Sequence, residues 1–189
     1  MKKLILILVT AALPLTGKAQ AVAPAVTVGP AKSEITLVVQ TPGSQDELFV
    51  RGKDWLFRTF NSGKTIEQYE DKTAGRLVAH PRTASLTWKA GLGIVNDAGD
   101  FSYNLTLDFK EGKARILIDN VVYQKGTQHN SMILQSGANL NDEYPANWPT
   151  FGKKSMLAHW QQMQASATNE LVLLEQSFYA AMSKAKSDF

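Results

Sequence analysis

The sequence predicts an α+β fold of two layers, in which helices pack on one face of an antiparallel sheet of about five strands. Apolar and polar residues alternate strictly from Phe101 to Lys110, which indicates a half-buried antiparallel strand. Two segments, 44–60 and 153–184, carry apolar residues every three or four positions, as amphipathic helices do. The strand signals lie before and between these helices, which gives the order β-α-β-β-β-β-α.

The first strand and the first helix are marked by local signals. Residues 34–41 are mostly apolar and β-branched, which favours a strand. Ser44 and Glu47 form a capping box, in which each side chain binds the other residue's backbone N–H, so a helix is predicted to about Phe60. Gly52 lies in the middle of this helix, where glycine costs about 1 kcal/mol relative to alanine. We therefore expect the helix to approach the sheet closely at Gly52.

The middle of the chain supplies the other strands. Extended segments at 65–71 and 76–80 flank a turn in which Gly75 can adopt a positive φ. Pro81 cannot donate to a sheet ladder and indicates a bulge or an edge. The segments predicted after it are a strand at 83–89, a loop at 91–99, and strands at 101–110 and 114–124.

A long polar connection, 125–152, leads to a long helix, 153–184. Apolar side chains recur along this helix every three or four residues, at Met156, Trp160, Met163, Ala167, Leu171, Leu174, Phe178 and Met182. Such a stripe predicts a helix that packs on the sheet. The alternative is a homodimer formed through this C-terminal helix.

Several short motifs resemble those of a known family. In chain order they are Thr41-Pro42-Gly43, the helix with Trp55, Ile66 to Lys72 with Gly75, Tyr103-x-Leu105-Thr106-Leu107, and Lys110 to Arg115. Over residues 34–124 the chain resembles the domain of unknown function 4468, a family with a TATA-binding-protein-like fold in secreted proteins of Bacteroidota-type bacteria. The resemblance implies that fold and export from the cytoplasm. It implies no catalytic residues, because the family has no established activity.

Residues 1–19 have the features of a secretory signal peptide. Two lysines precede an apolar core of about ten residues, shorter than the ~20 residues of a membrane span, and cleavage is expected after Ala19. A flexible leader at 20–33 and a single α+β domain at 34–187, with its long loop at 125–152, would follow. We expect a periplasmic location in a Gram-negative bacterium, or secretion, and no transmembrane segment in the mature chain.

Charge and cysteine content exclude several classes of protein. The 189 residues include 20 basic and 17 acidic side chains, and removal of the three lysines of the predicted signal peptide leaves a neutral chain. The lack of cysteine excludes disulfides, thiolate metal sites, a cysteine nucleophile and a lipoprotein anchor. Neutrality also argues against nucleic-acid binding, because phosphates are bound by cationic surfaces.

No motif predicts an enzyme, a cofactor or a metal site. His80, His129 and His159 lack partners at metal-ligand spacing. Gly91-Leu92-Gly93 lacks the third glycine and the following helix of a dinucleotide site. The serine motifs of hydrolases are absent as well.

Carboxylates offer the other acid–base candidates. Glu67 and Asp71 share one face of a strand, but solvated side chains beside a turn are the simpler interpretation. Asp119 lies between apolar neighbours and can face inward, where pairing with Arg115 or Lys113 is the simpler account.

The candidates for ligand binding are three aromatic residues of the long connection, Tyr144, Trp148 and Phe151. Aromatic side chains in a polar, proline-containing loop can clamp a sugar or a peptide. The alternative is a hydrophobic plug that folds the loop onto the edge of the domain.

Two functional hypotheses follow from these observations. The first is an exported, non-enzymatic binding module with an open polar sheet face, whose partner is another envelope protein, a peptide or a glycan. The second is a periplasmic small-ligand carrier or hydrolase with a pocket between helix and sheet, lined by Met156 and Met163.

Overall fold

The computed structural model describes residues 34–60, 68–89, 95–126 and 135–183. The elements within these ranges are β1 Ile35–Gln40, α1 Gln45–Phe60, β2 Gln68–Asp71, β3 Arg76–Ala79, β4 Leu86–Lys89, β5 Val95–Lys110, β6 Lys113–Gln124 and α2 Lys153–Ser183. The predicted signal peptide and leader, the start of the second predicted strand, the Gly91 loop and His129 lie outside the described residues.

All pairs of neighbouring strands are antiparallel, in the order β1-β6-β5-β3-β2, and β4 pairs with the first part of β5. The predicted α+β arrangement, an antiparallel sheet with helices on one face, is confirmed. The predicted loop at 91–99 is wrong in its second half, because β5 begins at Val95 and its backbone pairs with β4. Pro81 makes no bulge, because Arg82 pairs with Ser102 in the register of β3, and the Pro81 carbonyl accepts the Tyr103 N–H at 3.1 Å.

The hydrophobic core lies between this sheet and the two helices. Alternate residues of β5, from Phe101 to Phe109, are buried under the helices. The ring of Phe109 passes directly beneath Gly52 of α1, where an added Cβ would lie 2.0 Å from it. The close approach expected at Gly52 is thus confirmed, and it explains a glycine in mid-helix.

The apolar stripe of α2 packs on the same face of the sheet, beside α1. The rings of Trp55 and Phe178 meet edge to face at 5.2 Å, and Trp55 Nε1 donates to Ser177 Oγ at 3.1 Å. The stripe is therefore buried within its own chain, and a dimer through it would have to break this packing. Dimerisation stays a prediction. Neither α1 nor α2 has an apolar stretch of the length that a bilayer requires.

Candidate binding face of the sheet

The described helices and the 135–152 segment all lie on one face of the sheet. We call the opposite side the open face. Its side chains come from the alternate positions of five strands and of the residues that continue them: Thr36, Val38, Gln40, Tyr69, Asp71, Arg76, Val78, His80, Ser102, Asn104, Thr106, Asp108, Lys110, Lys113, Arg115, Leu117, Asp119, Val122 and Gln124. These residues form a continuous surface that the described part of the chain leaves without a covering element.

A row of mostly apolar side chains crosses the open face at right angles to the strands. Tyr69, Val78, Thr106, Leu117 and Thr36 are successive cross-strand partners. Four spacings between neighbouring strands make this row about 19 Å long. Tyr69, at one end, is 61% exposed. We call these five residues the apolar row.

A charged row runs beside the apolar row, and its two aspartates and two arginines, Asp71, Arg76, Asp108 and Arg115, balance in charge. Asp108 accepts hydrogen bonds from Arg76 Nε at 2.6 Å and from Arg115 Nε at 3.0 Å, and it also contacts Arg115 Nη2. Burial raises the pKa of the Asp108 carboxyl, but the hydrogen bonds and charges of the two guanidinium groups outweigh it and hold the pKa below its usual value. The same hydrogen bond to Asp108 raises the pKa of Arg76. This part of the face is a fixed ion-pair network rather than a cationic patch.

A chain of hydrogen bonds runs along the other side of the apolar row. His80 Nδ1 lies 2.9 Å from Asn104 Oδ1, and Asn104 Nδ2 donates to Asp119 Oδ1 at 2.8 Å. Asp119 therefore faces outward, and the inward orientation considered from its apolar neighbours is wrong. Arg115, one of its predicted partners, pairs with Asp108 instead.

Asp119 continues the outward alternation of β6 from Lys113, and a β-bulge lies directly beyond it. The register of β5 and β6 shifts by one residue between the pairs Ser102–Val122 and Asn104–Asp119. Asn120 takes up the extra residue with a φ of 50°, a left-handed conformation that asparagine tolerates better than most residues. Two consecutive residues thus lie outside the core before Val121 returns to it.

The three aromatic residues predicted to bind a ligand do not form one exposed group. Trp148 is buried, with its ring 5.6 Å from Tyr123 and 5.3 Å from Trp160. Tyr144 is half-buried against Trp148 and donates its hydroxyl to the Pro149 carbonyl at 2.6 Å. Phe151 is 95% exposed and lies apart from that cluster. Packing explains the first two, as in the plug interpretation; a ligand role for any of them stays a prediction.

Other ionisable groups have structural partners. Glu70 of β2 pairs with Lys53 of α1 at 2.7 Å, and Asp71 Oδ1 accepts the Ala74 N–H in the turn at 2.9 Å. Burial lowers the pKa of His159 on α2. Within the described ranges, histidine and carboxylate side chains do not gather in groups of three that could hold a metal ion.

The rows of the open face were not found from the sequence. Strict alternation along β5 assigned Asn104, Thr106 and Asp108 to a wet face, which is correct. Their neighbours on β3 and β6 depend on strand register, and the bulge at Asn120 changes that register within β6. Alternation within single strands carries no information about register.

Fold and surface together define a two-layer α+β domain in which the described residues leave one face of the sheet uncovered. The family model for the domain of unknown function DUF4468, with TBP-like fold, matches residues 36–124 of this chain. The resemblance noted from its motifs is confirmed.

Solved structures share the fold. A DUF4468 family protein from Bacteroides ovatus ATCC 8483 is 12% identical, with a TM-score of 0.54 over 82% of this chain and 89% of that one. A TBP-like protein from Parabacteroides distasonis ATCC 8503 is 14% identical, with a TM-score of 0.50 over 77% and 91%. At such identities the likeness shows the fold alone. No functionally curated protein matches the chain.

Proposed function

We propose that this protein is an exported, non-enzymatic binding module that holds its partner on the open face. The observation that carries the proposal is that both helices and the 135–152 segment lie on the other side of the sheet. A sheet face that only contacts solvent gains nothing from an apolar row. The open face has such a row, and Tyr69 at its end is 61% exposed.

The chemistry of the face favours a partner without large net charge. The two aspartates and two arginines of its charged row, Asp71, Asp108, Arg76 and Arg115, balance in charge, so this row offers little net charge to attract a polyanion. The length of the apolar row suits about six residues of an extended peptide. We propose a peptide segment of another envelope protein as the partner, with a glycan as the alternative.

A carrier or hydrolase with an internal pocket has less support. Large side chains fill the space between α2 and the sheet, where Trp160 contacts the rings of Phe101 and Tyr123 at 5.7 and 6.0 Å. Met163, one of the two methionines expected to line a pocket, is 6% exposed in this packing. The contacts therefore favour the binding module.

Photo-crosslinking in the source cells tests the binding proposal. A photo-reactive residue replaces Thr106 at the centre of the apolar row or, as a control, Val50, which is 62% exposed on α1. We expect a discrete adduct from position 106 and none from position 50. Equal labelling at both positions, or none at either, would contradict a partner on the open face.

Export is tested with the same cells. The mature protein recovered from the envelope or the medium should begin at Gln20, as Edman or mass-spectrometric sequencing would detect. Recovery of the intact Met1 form from the cytoplasm alone would contradict it.

A further inference from the structure

The hydrogen-bond chain on the open face fixes the protonation pattern of its histidine. A carboxylate can only accept hydrogen bonds, so Asp119 requires the NH2 group of the Asn104 amide at the 2.8 Å contact. The amide oxygen of Asn104 then faces His80, and it also can only accept. The 2.9 Å contact between Asn104 Oδ1 and His80 Nδ1 therefore requires a proton on Nδ1.

The protonation state of the second ring nitrogen, Nε2, follows from that of Nδ1. A neutral imidazole carries one N–H, so a proton on Nδ1 leaves Nε2 with a free lone pair. His80 is exposed, at the end of β3 and next to the apolar row. We infer that His80 Nε2 is a fixed hydrogen-bond acceptor on the open face, and that it takes an uncharged N–H or O–H donor of the bound partner.

Strand register and a neighbouring ion pair surround the hydrogen-bond chain of His80, Asn104 and Asp119. Asp119 lies directly opposite Asn104 in the register that runs without a break from the β5–β6 turn, and the bulge at Asn120 follows it immediately. Arg82, which lies two residues beyond His80, binds Asp100 at 2.6 Å. Its guanidinium is thereby anchored to a carboxylate.

This inference rests in its second part on the proposed function. A peptide laid along the apolar row would present backbone N–H groups and serine or threonine hydroxyls beside it. A fixed acceptor would select the alignment in which such a donor meets Nε2. The orientation of His80 itself requires no partner, so the two parts can be tested separately.

Nuclear magnetic resonance tests the first part on the 15N-labelled full chain. Long-range 1H–15N spectra at about pH 8, above the usual histidine pKa of about 6.5, should show His80 protonated on Nδ1 and bare on Nε2. The spectrum of His80→Gln assigns the signal. A wild-type His80 protonated on Nε2 would overturn the inference.

A charge-reversed variant tests the role of Asp119. In Asp119→Lys the new side chain donates, so the Asn104 amide should turn over and the proton should move to His80 Nε2. Asp71 lies on the same face but does not belong to the hydrogen-bond chain, so Asp71→Lys should leave the His80 tautomer unchanged. A variant tautomer that stays as in the wild type, with the fold intact, would overturn the role of Asp119; if the variant does not fold, the wild-type spectrum decides.

The adduct at position 106 tests the second part. Glutamine can place an acceptor near the position of Nε2, whereas phenylalanine keeps the ring shape without one. We expect His80→Gln to retain the adduct and His80→Phe to reduce its yield about tenfold, as for one lost hydrogen bond. Equal yields in both variants would overturn the acceptor role, while absence of any adduct in the wild type would instead contradict the proposed function.

Discussion

Single side chains show how closely the two layers fit. Gly52 of α1 is placed where even a methyl group would collide with the ring of Phe109. We expect Gly52→Ala to lower the free energy of unfolding by about 1–3 kcal/mol, although alanine favours the helix by about 1 kcal/mol. Urea denaturation followed by circular dichroism measures the change.

Phe109→Leu supplies the control for this prediction, because leucine is smaller than phenylalanine and has no ring. In that background the added methyl group has room, so Gly52→Ala should cost much less than in the wild type. An equal cost in both backgrounds would show that the contact with Phe109 is not the cause.

Glu175 is a charged group in an unfavourable place. It is 5% exposed on the buried side of α2, and its Oε2 atom has no hydrogen-bond partner among the described residues. Burial raises the pKa of this carboxyl above its ordinary value of 4.5. Glu175 therefore loses its proton at a lower pH in the unfolded chain than in the folded protein. For this reason the stability of the protein falls as the pH rises above that ordinary value.

We therefore expect Glu175→Gln to stabilise the protein at pH 7 by about 1–3 kcal/mol, and to have little effect near pH 4. Thermal unfolding from pH 4 to pH 8 measures the difference. Glu143→Gln, an exposed carboxylate, should show no such trend. A constant difference across the pH range would contradict the assignment to titration of Glu175.

Strands and helices differ in how much of their placement was predictable. Alternation along β5 and the capping box of α1 each rest on neighbours in sequence, and the structure reproduces both, with Ser44 and Glu47 bound reciprocally at 3.1 and 3.3 Å. The bulge in β6 was not predicted. Two adjacent polar residues, Asp119 and Asn120, interrupt an apolar strand, and that pattern fits a bulge as well as one inward carboxylate.

The left-handed conformation of Asn120 gives a test of the bulge. We expect Asn120→Val to destabilise the protein by about 1–2 kcal/mol, because a β-branched side chain collides with its own backbone at positive φ. Asn120→Gly, which keeps the conformation available, should stay within about 0.5 kcal/mol of the wild type. Chemical denaturation compares the two, and equal losses would contradict a left-handed residue at this position.

At the level of the complete fold, the sequence predicted the layers but not the surface. The layers follow from apolar periodicity and from the family resemblance, both local in sequence. The open face depends on partners as distant as His80 and Asp119, which only the sheet register brings together. The polar sequence around Tyr144 and Trp148 makes them candidates for a binding surface, yet Trp148 is buried in the core. Burial by distant residues cannot be deduced from composition.

The core extends beyond the segment that matches the family model. That match ends at residue 124, but Trp160 and Phe178 of α2 and Trp148 before it are among the buried side chains. Trp160 is fully buried and contacts Phe101 and Tyr123, which belong to the matched segment. We therefore expect α2 to be required for the fold. Truncation of a buried tryptophan to alanine costs about 3–5 kcal/mol, and loss of the helix removes several such side chains.

A fragment of residues 34–124 should accordingly lack cooperative thermal unfolding, because the helix-facing sides of β1 and β6 lose the cover that α2 provides. Addition of a separate 135–183 peptide should restore a cooperative transition, since the contacts of the core do not depend on the connection between the two pieces. Trp160→Ala in that peptide should weaken the restoration, whereas Leu173→Ala, 54% exposed on α2, should not. Cooperative unfolding of the fragment alone, at the melting temperature of the full chain, would show that the matched segment is an independent domain and that α2 is only an attachment to it.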